Sequence, residues 1–537
     1  MAAIVFQTNK KTGITYAYES FSYWDKEKKQ SRAKRKCIGK VDPQTGKIIP
    51  TRKKKPECKQ GMQQAMRGPV PTIEASHSFY GATHLFDLIG EKIGLTKDLA
   101  ICFPDTYKQI LSVAYYLILE DKNPLSRFPK WAGIHKHPFG KGLPSQRSSE
   151  LFASITDDAR ERFFKLQGTR RSQEEFWAYD TTSISSYSKG LKQVRYGVNK
   201  DHEPLPQINL ALLFGETSNL PFYYRKLAGN IPDVKTIPHL LADMEVLGFN
   251  KVNLVMDRGF YSEANINELY KSHRKFLMAT KTSLKFVKVE MEKARDKIRI
   301  WSNYSSQYDI FAYSTPMKWG YSQQRPYKGD VLKEERRMYM HIYYNSAKAV
   351  DDEREFYKLL DKLQEELVSG KRNPNHEKKY VKYFDIKATP VRGVSVKAKE
   401  NVLAETRQRY GYFVLLSNTI QDPIKALEIY RNKDVVEKAY ADLKDRLAFN
   451  RPAVSSEQSL DGKLFVEFIA LIYLSYIKKQ MQNGGLFKNF TLQGLLDMLD
   501  VIECFEQPGK ALRVGEVTKK QLELYEAMGV NAPTSLQ

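Results

Sequence analysis

Two short apolar segments end in aspartate, and the order of elements around them restricts the fold more than any other feature. Phe176-Trp-Ala-Tyr-Asp180-Thr-Thr-Ser183 predicts a strand that runs into polar residues. Residues 191–198 and 207–214 follow at hairpin-like distances and predict two more strands. A helix is expected over 236–247. Val252-Asn-Leu-Val-Met-Asp257 then reads as a short buried strand, and Ser262 as the cap of a helix over 263–272. Residues 275–280 predict a fifth strand. The β-β-β-α-β-α-β order is that of a mixed sheet with helices packed on it.

This α/β order is the ribonuclease-H type of arrangement, and we divide the chain around it. Residues 1–60 are expected to be a basic, β-rich module, and 72–170 a helical domain, either structural or DNA-contacting; the basic charge of the chain bears on both as DNA-binding regions. The ribonuclease-H-like core takes 172–284 and resumes at 406–450. A β-rich insertion over 285–405 separates the two parts. Residues 451–537 read as a helical C-terminal region suited to dimerisation.

Charge narrows the partner. The 537 residues carry 86 Lys+Arg against 62 Asp+Glu, a formal charge of +24. A balance this basic points to a polyanion, usually nucleic acid. Residues 26–59 alone hold fourteen basic residues against Glu27, Asp42 and Glu57. Tyr16, Tyr18, Tyr23 and Trp24 beside them favour a folded nucleic-acid binder over a solvated basic tail. No apolar run reaches the ~18–20 residues that span a bilayer. The best candidate, residues 464–477, includes Glu467. With no signal-peptide core at the N-terminus, a cytoplasmic protein without a membrane role is expected. Cys37, Cys58, Cys102 and Cys504 are scattered, which argues against a zinc finger or a disulfide framework.

Asp180 and Asp257 share a setting, each at the end of an apolar strand where a loop begins. Ligands of open α/β sheets collect there, and two converging carboxylates suit a hard divalent cation. The competing reading is that each aspartate caps a turn. Glu437 is the third candidate. At 100° per residue on one helix, Tyr430 lies at about +20° from it, Lys433 at about −40° and Lys444 at about −20°. These four form a polar stripe beside an apolar face of Val436, Tyr440, Leu443 and Leu447. A capping box, Asp434-Val-Val-Glu437, explains the glutamate alone.

The spacing Tyr430-x2-Lys433-x3-Glu437-x6-Lys444 resembles the Tyr-x2-Arg-x3-Glu-x6-Lys signature of bacterial insertion-sequence transposases of the DDE class. Lys433 stands where the signature has arginine, keeping the charge but losing the bidentate fork. Tyr-Asp180-Thr-Thr and Val-Met-Asp257-Arg-Gly-Phe-Tyr are similar to the family's first and second acidic motifs. The likeness covers roughly 172–450, and the family places a β-rich insertion between the second aspartate and the glutamate. It implies a transposase that binds its element's terminal inverted repeats and carries out metal-dependent DNA cleavage and strand transfer. Asp180, Asp257 and Glu437 would be its catalytic residues and metal ligands, holding two Mg²⁺ ions, with Mn²⁺ as a substitute. Tyr430, Lys433, Lys444 and Arg258 would contact DNA. Double-stranded DNA, as terminal repeats and target, would be the partner, a homodimer on paired ends the active species, and the bacterial nucleoid its place of work. Two other readings are a nuclease with the same core but no strand transfer, and a DNA-binding protein with an inactive core.

Overall fold

The computed structural model describes residues 3–26, 28–51, 75–170, 175–188, 190–249, 252–325, 327, 329–389, 393–447, 449, 454 and 456–534. They form two compact units, 3–51 and 75–534.

The first unit is a four-stranded antiparallel sheet in sequence order: β1 (Ala3–Thr8), β2 (Thr15–Asp25), β3 (Gln30–Val41) and β4 (Ile48–Ile49). Gly13 closes the β1–β2 turn, its amide bonded to the Asn9 carbonyl at 2.9 Å in a left-handed conformation (φ 66°) that glycine adopts freely. Arg52, Lys53, Lys54, Lys55 and Lys59 of the basic stretch lie outside the described residues, as do Glu27, Glu57 and Cys58.

The second unit begins with β5 (Ser76–Phe79) and six helices: α1 (Gly81–Lys92), α2 (Leu95–Cys102), α3 (Tyr107–Leu119), α4 (Phe128–Ala132), α5 (Ser145–Ser154) and α6 (Asp157–Thr169). Next come β6 (Phe176–Ser185), β7 (Gln207–Gly215), β8 (Pro221–Ala228), α7 (Ile237–Val246), β9 (Asn253–Met256), α8 (Glu263–Lys271) and β10 (Lys275–Thr280). Residues 285–407 add α9 (Lys285–Ile298), β11 (Tyr304–Ser305), β12 (Ile310–Gln324), β13 (Val331–Tyr344), α10 (Ser346–Val368), α11 (Glu377–Tyr383), β14 (Phe384–Thr389), β15 (Gly393–Ala398) and α12 (Glu400–Arg407). The chain then forms β16 (Tyr412–Ser417), α13 (Pro423–Asn432), α14 (Asp434–Ala441), α15 (Glu457–Asn483) and α16 (Leu492–Asp500). It closes with β17 (Glu503–Glu506), β18 (Arg513–Val514) and α17 (Lys519–Ala527).

One nine-stranded mixed sheet organises this α/β unit, in the order β11-β12-β13-β16-β10-β9-β6-β7-β8. β6, β7 and β8 form an antiparallel meander, β9 lies parallel to β6, and β10 parallel to β9. Parallel pairs need crossovers, and α7 and α8 supply helix in the two that lead to β9 and β10. Ser262 caps α8 by accepting from the Asn265 amide, as the sequence suggested. The expected strand over 191–198 is absent: only Arg195 bridges, to Gln207. β8 is the third strand of the meander instead. Its Phe222, Tyr223 and Tyr224 are buried, and they outweigh the polar Arg225-Lys226 that hid the strand in the sequence.

Helices before and after the sheet share a core. α15 packs on α3 and α5, and β5 pairs with β17, joining residues more than 400 apart. Every residue from Leu464 to Ile477 is buried, so this apolar run is a core helix. No helix among the described residues is long and apolar enough to cross a membrane. A Cβ on Gly462 would meet the Phe152 carbonyl oxygen at 2.0 Å, so glycine sets how closely α15 approaches α5. Phe356, Leu363, Leu367, Tyr380, Tyr383, Phe384 and Leu403 form a separate small core within 346–407.

Candidate active site

Tyr179 and Met256 are the last register partners on the parallel pair β6–β9. Asp180 and Asp257 are the next residues, so the backbone sets them side by side where the strands separate. The two strands then differ. β9 stops and turns into a short 3₁₀ helix, whereas β6 continues to Ser185 with Asp180 opposite Leu212 on β7. Asp180 therefore sits within a strand, held there by the antiparallel partner. Both carboxylates also accept from the following amide, Thr181 to Asp180 and Arg258 to Asp257, each at 2.8 Å. The local capping role coexists with convergence.

Glu437 reaches the same place from α14. Asp180, Asp257 and Glu437 all line one cavity of about 700 Å³, together with Lys200, Asp201, Asp233, Tyr440 and Lys444. The Tyr440 hydroxyl donates to the Asp180 main-chain oxygen at 2.5 Å and pins α14 to the sheet. Val436, Tyr440, Leu443 and Leu447 are buried, as their shared helical face requires. The uniform helix expected over 430–444 is interrupted twice. α13 ends and α14 begins at Lys433, and Asp442–Arg446 form a π-helical turn, so constant 100° steps fail towards Lys444. α14 has no side-chain cap bond, which removes the capping box as an explanation for Glu437.

The basic and phenolic side chains engage the carboxylates. Tyr430 donates to Asp257 Oδ1 at 2.7 Å. Lys433 is only 3% exposed, with Nζ 3.3 Å from Glu437 Oε1. Lys444 Nζ lies 2.6 Å from Asp201. Arg258 is exposed and, with Tyr430, Lys281 and Arg431, lines an adjoining cavity of about 640 Å³ that also touches Asp257. No sequence pattern points to Lys200 or Asp233. Lys200 Nζ donates to the Thr181 carbonyl at 2.6 Å and hydroxyl at 2.7 Å. It also lies 3.0 Å from Asp233 and 3.8 Å from Asp180. The Thr181 hydroxyl donates to Asp233. These contacts join a loop and a turn that no local pattern connects.

Electrostatics separates the two aspartates. Burial pushes the Asp180 carboxyl up, and the charges of Lys200 and Lys433 offset this only in part. Burial acts on Asp257 too, but the Tyr430 hydrogen bond, the Arg258 amide and Lys433 outweigh it and hold the carboxyl below its ordinary value. Burial disfavours the Lys433 ammonium, yet the negative charges of Asp180, Asp257 and Glu437 raise it above the usual lysine value.

The family of the transposase DDE domain matches residues 171–474, more than half of the chain. The chain belongs to this family of DNA-cleaving phosphoryl-transfer enzymes, which generally use divalent metal ions. No curated protein matches it. Among solved structures it is similar to the piggyBac transposase in a synaptic complex with hairpin DNA, solved by cryo-EM. The TM-score is 0.33 at 9% identity, over 74% of this chain and 73% of that one.

The residues present fit such a metal in chemistry. The cavity offers carboxylate oxygens, the donors hard cations take, and Lys200 and Lys433 lie against them as counter-charges. Among the described residues no three His, Cys, Asp or Glu side chains form a ready-made metal group, and each carboxylate is engaged by a donor of the chain itself.

Proposed function

We propose that the protein is a DNA transposase of the bacterial insertion-sequence type, which binds the terminal inverted repeats of its element and catalyses strand cleavage and strand transfer. The observation that carries this reading is the meeting of Asp180, Asp257 and Glu437 on one cavity, two placed by adjacent parallel strands and one by a helix docked on them. The strand order β8-β7-β6-β9-β10 supports a ribonuclease-H-like core. In this reading residues 285–405 are an insertion in that core, and 451–537 contribute to dimerisation on paired ends.

Asp180, Asp257 and Glu437 would hold two divalent cations, Mg²⁺ or in its place Mn²⁺. When bound, these ions supply activation of a water or DNA 3′-hydroxyl and stabilisation of the leaving oxygen. The chain's own residues do the rest. Tyr430 orients Asp257 through its hydrogen bond. Lys433 neutralises the carboxylates before any ligand arrives and gives a DNA phosphate a cation to meet. Lys444 and Arg258 extend positive charge to either side of the cut. The helical region 72–170 and the basic N-terminal module add duplex contacts that steer the ends into place.

The test is cleavage of a supercoiled plasmid carrying paired ends, with and without Mg²⁺. Wild type should cut only with the metal. Asp180→Asn, Asp257→Asn and Glu437→Gln should each abolish cutting while retaining end binding. Metal-independent cutting, or full activity in any of the three, rejects the assignment.

A further inference from the structure

The two faces of the N-terminal sheet are unlike. Side chains alternate across a strand, so Phe21 and Tyr23 of β2 project from one face. Register partners put Phe6 of β1 on that face, opposite Ala17, and Lys34 and Arg32 of β3 there too, opposite Phe21 and Tyr23. Phe6 is 57% exposed, and Phe21 and Tyr23 are each 49% exposed. On the other face Tyr16 and Tyr18 are half-buried and Ser20 is buried. This face thus shows solvent three aromatic rings, with buried Ala17 beside Phe6 and a row of cations beside Phe21 and Tyr23, whereas the other face shows one, Trp24.

Charge identifies the partner. β3 carries Arg32, Lys34, Arg35, Lys36 and Lys40 and no acid. A second copy of the chain would bring the same charge and be repelled, while a polyanion is attracted. Aromatic rings beside cations suit nucleic acid. In a duplex the base faces are already stacked on one another, whereas an unpaired strand offers every base a free π-face. Rings two residues apart on one strand stand about 6.8 Å apart, twice the ~3.4 Å rise per nucleotide along one strand of a duplex, so each ring can take its own base.

We propose that this face binds single-stranded DNA, with bases stacked on Phe21, Tyr23 and Phe6 and the backbone phosphates held by Lys34, Lys36 and Arg32. Arg32 is shared with Asp25, 3.7 Å away, and Lys36 stands opposite Glu19, so Lys34 carries most of the phosphate contact. The inference rests on the reading of the chain as an enzyme acting on DNA, and it adds a distinct ligand: the unpaired strand that cleavage and transfer produce.

The test uses the full-length protein and fluorescence anisotropy with a labelled oligothymidine of about 16 nucleotides and a blunt duplex of equal length. Phe21→Ala and Tyr23→Ala should each weaken single-strand binding at least fivefold while changing duplex binding less than twofold. Ser22→Ala, exposed on the opposite face, should change neither by twofold. Phe21→Leu keeps apolar bulk and lacks a π-face. It should melt like wild type and still lose single-strand affinity. Lys34→Gln should lower the slope of log affinity against log salt by about 0.7 for the single strand. Equal losses on both DNAs, or no loss on the single strand, overturn the proposal. Wild-type cleavage of paired ends, measured alongside, separates the two readings: single-strand binding can fail while cleavage persists, and absence of cleavage condemns the transposase reading itself.

Discussion

Lys433 stands where the resembled signature has arginine, and its buried position sharpens what its removal should do. A surface lysine paired at i,i+4 with Glu437 would contribute only ~0.3–0.5 kcal/mol. Lys433 is not on the surface: its side chain is 3% exposed, against 61% for Glu437. Three carboxylates act on its charge and keep it protonated against burial. In the proposed reading Lys433 would turn from Glu437 to a phosphate at the scissile position, and a charge-assisted hydrogen bond there would be worth ~1.5–3 kcal/mol. Lys433→Met keeps most of the stem and removes the charge, so it separates the clamp from packing. Cleavage of pre-bound paired ends in single-turnover assays should fall roughly ten- to hundredfold in Lys433→Met. Lys433→Arg should keep most of the rate, because charge matters more than fork geometry here. If Lys433→Met cleaves at the wild-type rate and differs only in melting temperature, the phosphate role is wrong.

Three further outcomes follow from burial, charge and assembly. Burial pushes Glu467 up to about 8, with Lys463 Nζ 3.8 Å away as the opposing charge. A folded value above the unfolded one means stability is greatest below pH ~4.5 and is lost as pH rises towards 8. Glu467→Gln should therefore raise stability at pH 7.5 by ~2–3 kcal/mol in denaturant titrations, and a loss there contradicts the sign. His341 lies in the sheet, pushed down to about 4 by burial, so its contribution is full above pH 6.5 and is lost as pH falls towards 4. His341→Leu should remove ~3 kcal/mol of the difference in stability between pH 7 and 4, and an unchanged acid limb rejects this. The basic chain should repel itself without DNA, so light scattering should find monomers alone and two chains on paired ends. Full cleavage by a single chain on a single unpaired end excludes the dimer.

Local chemistry made much of the core legible. The strand at Lys275–Thr280, the Ser262 cap and the paired aspartates all come from short, strongly patterned segments. β8 did not, because Pro221 opens it and Arg225-Lys226 interrupt its aromatic run, while its burial comes from β7 and from helices elsewhere in the chain. The sequence placed Asp257 correctly at a strand end but put Asp180 at one too, whereas β6 runs on to Ser185 because β7 pairs with it; nor could it set the two on adjacent strands in register, since parallel pairing depends on crossovers rather than on either strand alone. Lys200 and Asp233 enter the cavity from connecting segments with no periodicity to reveal them. The break at Lys433 and the π-turn at Asp442–Arg446 are invisible to a wheel drawn at constant pitch. Pairing of β5 with β17 leaves no local trace at all.

In the proposed reading Asp180, Asp257 and Glu437 act together on one set of divalent cations. A structure of the protein on paired DNA ends with Mg²⁺ measures this most directly. Carboxylates sharing two cations ~3.5–4 Å apart should lie within ~4–8 Å of one another, with Lys433 released from Glu437 towards a phosphate. Any of the three turned away by twice that distance in the DNA-bound state contradicts the account.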